Sequence, residues 1–343
     1  LPWESGLALS HPGSAAQLPA VRRIVHAGEP MSLYQDTPDQ YIIVNGARLH
    51  FLDWGGDGPP ILFLPGIGEP ASVFKWFAPR FIPRYRALSL TRRGTGRSQL
   101  VPGTYQLSQL VDDVRAFADA VGLGPLYAVG HSYGGFEITR LAAQYPDRVR
   151  ALVYLDALFS QELMGLIQED PLSGPQVPAI PASGLESFHD YFSYLRASFP
   201  FADKIWSLPI EEAWAVDVHI GPDGKLKEID RGTALTDMMG TAAEQPLDFS
   251  AIRCPVLAIA AFQGHHPNIP ANADAELREK ADRHHERLET AKRATLSALK
   301  QHRPDAQIIE IPNAPHHLCV THGDLVFSYM AKFLDSLVGD QSA

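Results

Sequence analysis

Leu126-Tyr127-Ala128-Val129-Gly130-His131-Ser132-Tyr133-Gly134-Gly135 is the stretch on which the reading of this chain turns. Leu126 to Val129 is a short apolar run, as expected of a strand buried on both faces. Phe136 to Gln144 carries a helical pattern. Between them stands Gly130-X-Ser132-X-Gly134, a serine flanked by glycines small enough to let a strand and a helix approach. The bare pattern is common by chance. Its context, a buried strand leading in and a helix leading out, gives it weight. The plainer alternative is a serine that only closes a turn.

Outward from this point the chain alternates short β-rich runs with helical patterns, the mark of a mostly parallel sheet with helices on both faces. Tyr41 to Val44 and Arg48 to Trp54 are joined by Asn45-Gly46, a strong two-residue hairpin signal. Ile61 to Leu64, Arg86 to Leu90, Ala151 to Leu155, Pro255 to Ala260 and Gln307 to Ile311 bring the expected strands to eight. Helices are expected over Leu107 to Val121 and from about Asp324 to Leu337.

Two intervals break the alternation. Leu158 to Phe249, after the sixth strand, is far longer than an ordinary connection and reads as a helical cap. It is rich in aromatics: Phe159, Phe188, Tyr191, Phe192, Tyr194, Phe199, Phe201, Trp206 and Trp214. Ala271 to His302 is a charged helical stretch carrying Leu277, Leu288, Leu296 and Leu299, expected to be a solvated helix with one apolar stripe. Residues 1–38 hold many Pro and Gly and read as an arm over the surface. The division is thus an arm over 1–38, a core over 39–157 and 250–343, and a cap over 158–249. A length of 343 residues suggests about two domains; these assignments reduce it to one core domain with insertions.

On these motifs the sequence resembles the α/β-hydrolase superfamily, from about Tyr41 to Leu337. The resemblance implies a nucleophile elbow at Ser132, acyl-enzyme chemistry and no cofactor. Epoxide hydrolases and haloalkane dehalogenases of the same superfamily place an aspartate at the elbow, so Ser132 argues against both. In the resembled fold the base follows the last strand, which places it on His316 in Pro312-Asn313-Ala314-Pro315-His316-His317, with His317 the second choice. The acid usually follows the seventh strand, yet Ala261-Phe262-Gln263-Gly264-His265-His266 contains none. Some members carry it after the sixth strand, where Val153-Tyr154-Leu155-Asp156 supplies Asp156. Ser132, Asp156 and His316 keep the chain order expected of the fold. A helix cap or sheet-edge role is the plainer reading of Asp156, and Asp274 and Glu276 are weaker alternatives.

Acyl transfer also needs donors aimed at the developing oxyanion. The Tyr133 N–H, next after the serine, is one candidate. The resemblance places the other on Ile67, in Leu64-Pro65-Gly66-Ile67-Gly68-Glu69-Pro70, where Pro65 replaces the family's usual histidine and so removes a side chain that often braces the loop. Thr91-Arg92-Arg93-Gly94-Thr95-Gly96-Arg97-Ser98 also resembles a family motif and is expected to be a structural turn. A histidine base of ordinary pKa would lose activity on acidification through about pH 6 to 7.

Composition sets the outer bounds. Hydrophobic residues make up 45% of the chain, enough for a substantial core. The net charge of −10 argues against nucleic acid or an anionic membrane as the main partner. Cys254 and Cys319 are too few for a disulfide scaffold and read as buried thiols. His265-His266 and His284-His285 lack the spacing of a metal site. No stretch is apolar enough to span a membrane. The sequence opens on Leu1 instead of Met, from which the expectation is removal of an N-terminal segment and secretion or periplasmic export, with the cytoplasm as the alternative. The expected substrate is a small to medium apolar or aromatic ester; lactone, amide or carbon–carbon bond hydrolysis, or ligand binding without turnover, are the alternatives.

Overall fold

The computed structural model describes residues 37–103, 105–170, 172, 180–198, 205–244, 247–270 and 272–339. Nearly all of the N-terminal arm expected over 1–38 lies outside the described residues, as do Phe199 and Phe201. The strands are β1 (Gln40–Val44), β2 (Ala47–Gly55), β3 (Pro60–Leu64), β4 (Arg86–Leu90), β5 (Leu126–His131), β6 (Val149–Leu155), β7 (Val218–Ile220), β8 (Leu226–Glu228), β9 (Val256–Phe262) and β10 (Gln307–Pro312). The helices are α1 (Leu107–Ala120), α2 (Gly134–Gln144), α3 (Gln161–Gln168), α4 (Phe188–Ser198), α5 (Leu208–Trp214), α6 (Ala234–Glu244), α7 (Ala275–His302), α8 (Leu318–Thr321) and α9 (Gly323–Gly339).

Eight strands make one sheet in the order β1-β2-β4-β3-β5-β6-β9-β10. The β1–β2 and β2–β4 pairs are antiparallel, and the remaining pairs are parallel. The hairpin turns at Asn45 (φ 46°) and Gly46 (φ 74°), the left-handed pair that a tight turn between twisted strands requires.

Alternation along the strands divides the core. Leu62, Leu64, Ala128, Leu152, Tyr154 and Ala258 face Val111 and Phe117 of α1, Phe136 and Leu141 of α2, and Leu296 and Leu299 of α7. Ile61, Phe63, Tyr127, Val129, Val153 and Ile259 face Phe74, Phe77 and Phe81, together with Val326, Met330 and Phe333 of α9. Helices therefore cover both faces, and the central strands read as continuous apolar runs for that reason.

Between β6 and β9 the chain leaves the sheet to form α3 to α6 and the β7–β8 hairpin. The hairpin adds two short strands to the helices expected of this insertion. Its strands have three residues each, too short for alternation to register, and its signal lies in the turn Gly221-Pro222-Asp223-Gly224, with Gly224 at φ 78°. Most of the aromatics here pack on one another. Trp206 stands edge-on to Phe192 (5.8 Å) and Trp214 (5.4 Å), around buried Tyr191, Leu195, Val218 and Leu226.

The charged stretch becomes the 28-residue α7, capped by Asp274, whose side chain accepts the Leu277 N–H at 2.8 Å. Cys254 and Cys319 are unpaired and half-buried; burial pushes the Cys254 thiol up to about 11 and raises that of Cys319 as well. Among the described residues no helix is long and apolar enough to cross a membrane.

Candidate active site

The turn from β5 to α2 is built by close backbone approach. A Cβ on Gly135 would lie 1.9 Å from the Ala157 carbonyl oxygen, and one on Gly134 would lie 2.3 Å from that of Leu64. Side chains are excluded at both positions, which is why Ser132 is followed by Tyr-Gly-Gly. Ser132 itself sits at φ 50°, a conformation that a residue with a Cβ adopts only when its surroundings enforce it. The Ser132 N–H donates to the Leu155 carbonyl (3.3 Å), and the Gly135 N–H donates to that of Ser132 (2.9 Å).

Asp156 leaves the neighbouring strand in the same way. The parallel register pairs His131 with Leu155, so the residues that follow them, Ser132 and Asp156, stand side by side at the carboxyl ends of β5 and β6. Asp156 is at φ 48° and donates its N–H to the Ile259 carbonyl at 2.7 Å. Its side chain is almost wholly buried and accepts three groups. His316 Nδ1 lies 2.6 Å from Oδ2, the Ala261 N–H lies 3.0 Å from Oδ1, and Lys292 Nζ lies 2.9 Å from Oδ1 and 3.2 Å from Oδ2. Burial raises the carboxyl's pKa, but the Lys292 ammonium and His316 outweigh it and hold the group below its ordinary value.

His316 arrives from the loop after β10, which turns at Asn313 (φ 56°) and is tied back by the Ala314 N–H to the Phe262 carbonyl at 3.2 Å. Its ring keeps 35% of its surface accessible. Withdrawal of the imidazole from water pushes its pKa down to about 4, with His131 and His317 acting in the same direction and Asp156 opposing them. This corrects the expectation of a base with an ordinary histidine pKa. Ser132, Asp156 and His316 are thus gathered at one end of the sheet. Among the described residues the Ser132 hydroxyl and the His316 ring form no hydrogen bond, a contact that often tightens only when substrate is bound.

His317 does not share the site of His316. It turns away to Glu69, with Nε2 2.8 Å from Oε1. The other Glu69 oxygen accepts the Gly66 N–H at 2.7 Å and lies 3.1 Å from His131 Nδ1. His131 Nε2 is 3.2 Å from the His316 carbonyl oxygen, so both ring nitrogens face acceptors. Burial lowers the pKa of His131, but Glu69 outweighs it, and the net shift is upward. Burial likewise raises that of Glu69, and the two histidines carry it well below the ordinary carboxylate range.

The loop bearing Ile67 is held from its other side by Arg92. That guanidinium donates to the Gly66 and Pro65 carbonyls, both at 2.6 Å, and pairs with Glu137 at 2.6 Å, with side chains only 4% and 1% exposed. Arg92 and Glu69 supply the bracing expected to be lost with Pro65, so the Thr91–Ser98 segment does more than turn the chain. Among the described residues neither the Ile67 nor the Tyr133 N–H donates to a protein acceptor.

Residues 59–200 match the family model described as the alpha/beta hydrolase fold. The chain has the alpha/beta hydrolase fold. It is 32% identical over 142 residues to N-formylmaleamate deformylase of Pseudomonas putida, a match covering 41% of this chain and 48% of that protein. It is 23% identical over 283 residues to 2-(acetamidomethylene)succinate hydrolase of Mesorhizobium japonicum, covering 82% of this chain and 90% of that one. Among solved structures, that of E-2-(acetamidomethylene)succinate hydrolase superposes with a TM-score of 0.67 at 20% identity, over 87% of this chain and 99% of that one.

Three residues around this site have roles that the sequence did not reveal: Glu69, Arg92 and Lys292. Only Lys292 left a usable signal. Leu288, Lys292, Thr295, Leu296 and Leu299 follow one helical face, so a lysine occupies a position on the apolar stripe of α7. Of the weaker acid candidates, Asp274 caps α7 and Glu276 is exposed in its first turn. The histidine pairs are also engaged elsewhere. His266 Nε2 lies 3.0 Å from Asp170, and His284 Nε2 lies 2.9 Å from the Leu166 carbonyl. Among the described residues no group of three or more His, Cys, Asp or Glu is arranged to hold a metal ion.

Proposed function

We propose that the chain is a serine hydrolase acting on carboxylic esters through Ser132, His316 and Asp156. The observation that carries this reading is the 2.6 Å contact of His316 Nδ1 with a buried Asp156 carboxylate, beside a serine held at φ 50° on a strand-to-helix turn. A carboxylate on Nδ1–H leaves Nε2 as the base for a hydroxyl. Ser132 attacks the substrate carbonyl as His316 takes its proton. The oxyanion forms against the Ile67 and Tyr133 N–H groups, each donor contributing about 3 kcal/mol or more. His316 then returns the proton to the leaving alcohol and activates the water that cleaves the acyl-enzyme.

The segment between β6 and β9 serves as a cap over this end of the sheet. Tyr133 donates from its hydroxyl to the Met238 carbonyl of α6 at 3.2 Å, and a Cβ built on Gly68 would meet Leu235 of α6 at 3.8 Å. Because most of the insertion's aromatics fill its own interior, their number does not specify an aromatic substrate. Amide hydrolysis is the second reading, favoured by the names of the deformylase and of the acetamido-compound hydrolase that the chain resembles.

The test is hydrolysis of p-nitrophenyl acetate beside a series of N-formyl amides. Ser132→Ala is expected to lower kcat at least about 10³-fold on whichever substrate is turned over. Asp156→Asn is expected to cost about 10³- to 10⁴-fold, by favouring the wrong imidazole tautomer. A Ser132→Ala protein that retains its rate would overturn the reading.

A further inference from the structure

We propose that Lys292 is a positioning residue for His316, acting through Asp156: its ammonium balances the carboxylate, so that the imidazole stays neutral and available as base into acid conditions. The inference rests on the serine-hydrolase reading above. Its ground is the geometry. Lys292 Nζ contacts both oxygens of Asp156 and also donates to the Ala261 carbonyl at 2.9 Å, which joins α7 to the carboxyl ends of β6 and β9.

A histidine-orienting carboxylate ordinarily stabilises the imidazolium that forms when the base takes its proton. Here the charge is already matched. With Lys292 in place the pair carries no net charge, and protonating His316 adds a positive charge that Asp156, already shared with the ammonium, offsets only in part. Without Lys292, the same proton would settle beside an unbalanced anion.

The other groups facing His316 push the same way. His131, at the end of β5, lies with its ring centroid 4.7 Å away, and His317, next along the loop, lies at 5.6 Å. Both are tied to Glu69, whose charge is spent on them. Around Lys292, the ring of Phe262 lies 5.5 Å from Nζ, Arg293 covers that ring at 4.1 Å, and His285 stands two turns earlier on α7. Asp156 is the carboxylate in contact with the ammonium. The arrangement favours a ready base over a strongly stabilised imidazolium, which suits an enzyme whose base must be free when substrate arrives.

The experiment compares the full chain with Lys292→Met and Lys292→Arg, reading the pH profile of kcat/KM on p-nitrophenyl acetate and the NMR titration of the His316 Cε1 proton. Lys292→Met is expected to move the acid limb and the His316 titration upward by about one pH unit, the size of effect a nearby charge exerts, and Lys292→Arg to restore both. If Lys292 only bolts helix to sheet, Lys292→Met lowers the rate equally at every pH and leaves both midpoints in place, and the proposal fails. Should Lys292→Met not fold, Lys292→Gln keeps a donor without the charge and is read the same way. The NMR titration is repeated in a Ser132→Ala background. A failure of the serine reading therefore shows as retained activity there, whereas a failure of the Lys292 proposal shows as an unmoved titration.

Discussion

In the proposed mechanism His316 is the base, and its surroundings make the shape of its pH dependence a consequence of structure. Withdrawal from water and the two neighbouring imidazoles depress its pKa to about 4, so the neutral, base-competent form persists well below the ordinary histidine range. We expect kcat/KM on p-nitrophenyl acetate to stay flat from neutrality to about pH 5 and to fall with a midpoint near 4; a midpoint at 6 to 7 would contradict this environment. The sign for stability runs the same way. The unfolded chain takes up the proton below about pH 6.5 while folded His316 does not, so this residue draws down stability between that pH and about 4. What sequence could supply here was identity. Ser132, Asp156 and His316 stand at readable positions at strand ends, but a pKa depends on which groups crowd the ring, and Asp156 and His131 reach it from parts of the chain far apart in sequence.

Among the elements, the β5–α2 turn leaves the least room. The backbone of β3 presses on Gly134, and the segment after β6 presses on Gly135, so the elbow is held by its neighbours as much as by its own hydrogen bonds. Gly135→Ala would place a methyl 1.9 Å from the Ala157 carbonyl oxygen, and either β6 or the serine must shift. We expect this variant to lose at least about 2 kcal/mol of stability, measured by urea denaturation, and most of its activity even where it folds. Strand and helix positions were legible because buried parallel strands are apolar throughout and α1, α2 and α9 carry clear faces. The insertion was not, because a three-residue hairpin and short helices offer too few residues for any period to establish itself. Pro222-Asp223-Gly224 was the only trace of the hairpin. In α7 the apolar stripe was visible, but a lysine on it reads as a surface residue until Asp156 is placed opposite.

Over the whole molecule, Glu69 joins parts that are remote in sequence. It links the loop after β3, His131 at the end of β5 and His317 before α8, the last contact spanning 248 residues. Its depressed pKa means that its contribution to stability is present above the unfolded carboxylate value of about 4.5 and is lost as pH falls through the lower folded value. That of His131, whose pKa is raised, is full below about 6.5 and fades as pH rises through its folded value. Glu69→Gln is expected to cost about 3 kcal/mol at about pH 5, where both contributions are full, with a smaller loss in alkaline solution once His131 has given up its proton, as thermal melts at the two pH values would read. The two cysteines bear on a different use of the fold. Because both thiols are held protonated, alkylating reagents find almost no thiolate on the native chain near neutral pH. Labelling with iodoacetamide then reports mainly molecules that have opened, giving a clock for unfolding that needs no engineered probe and does not touch the serine.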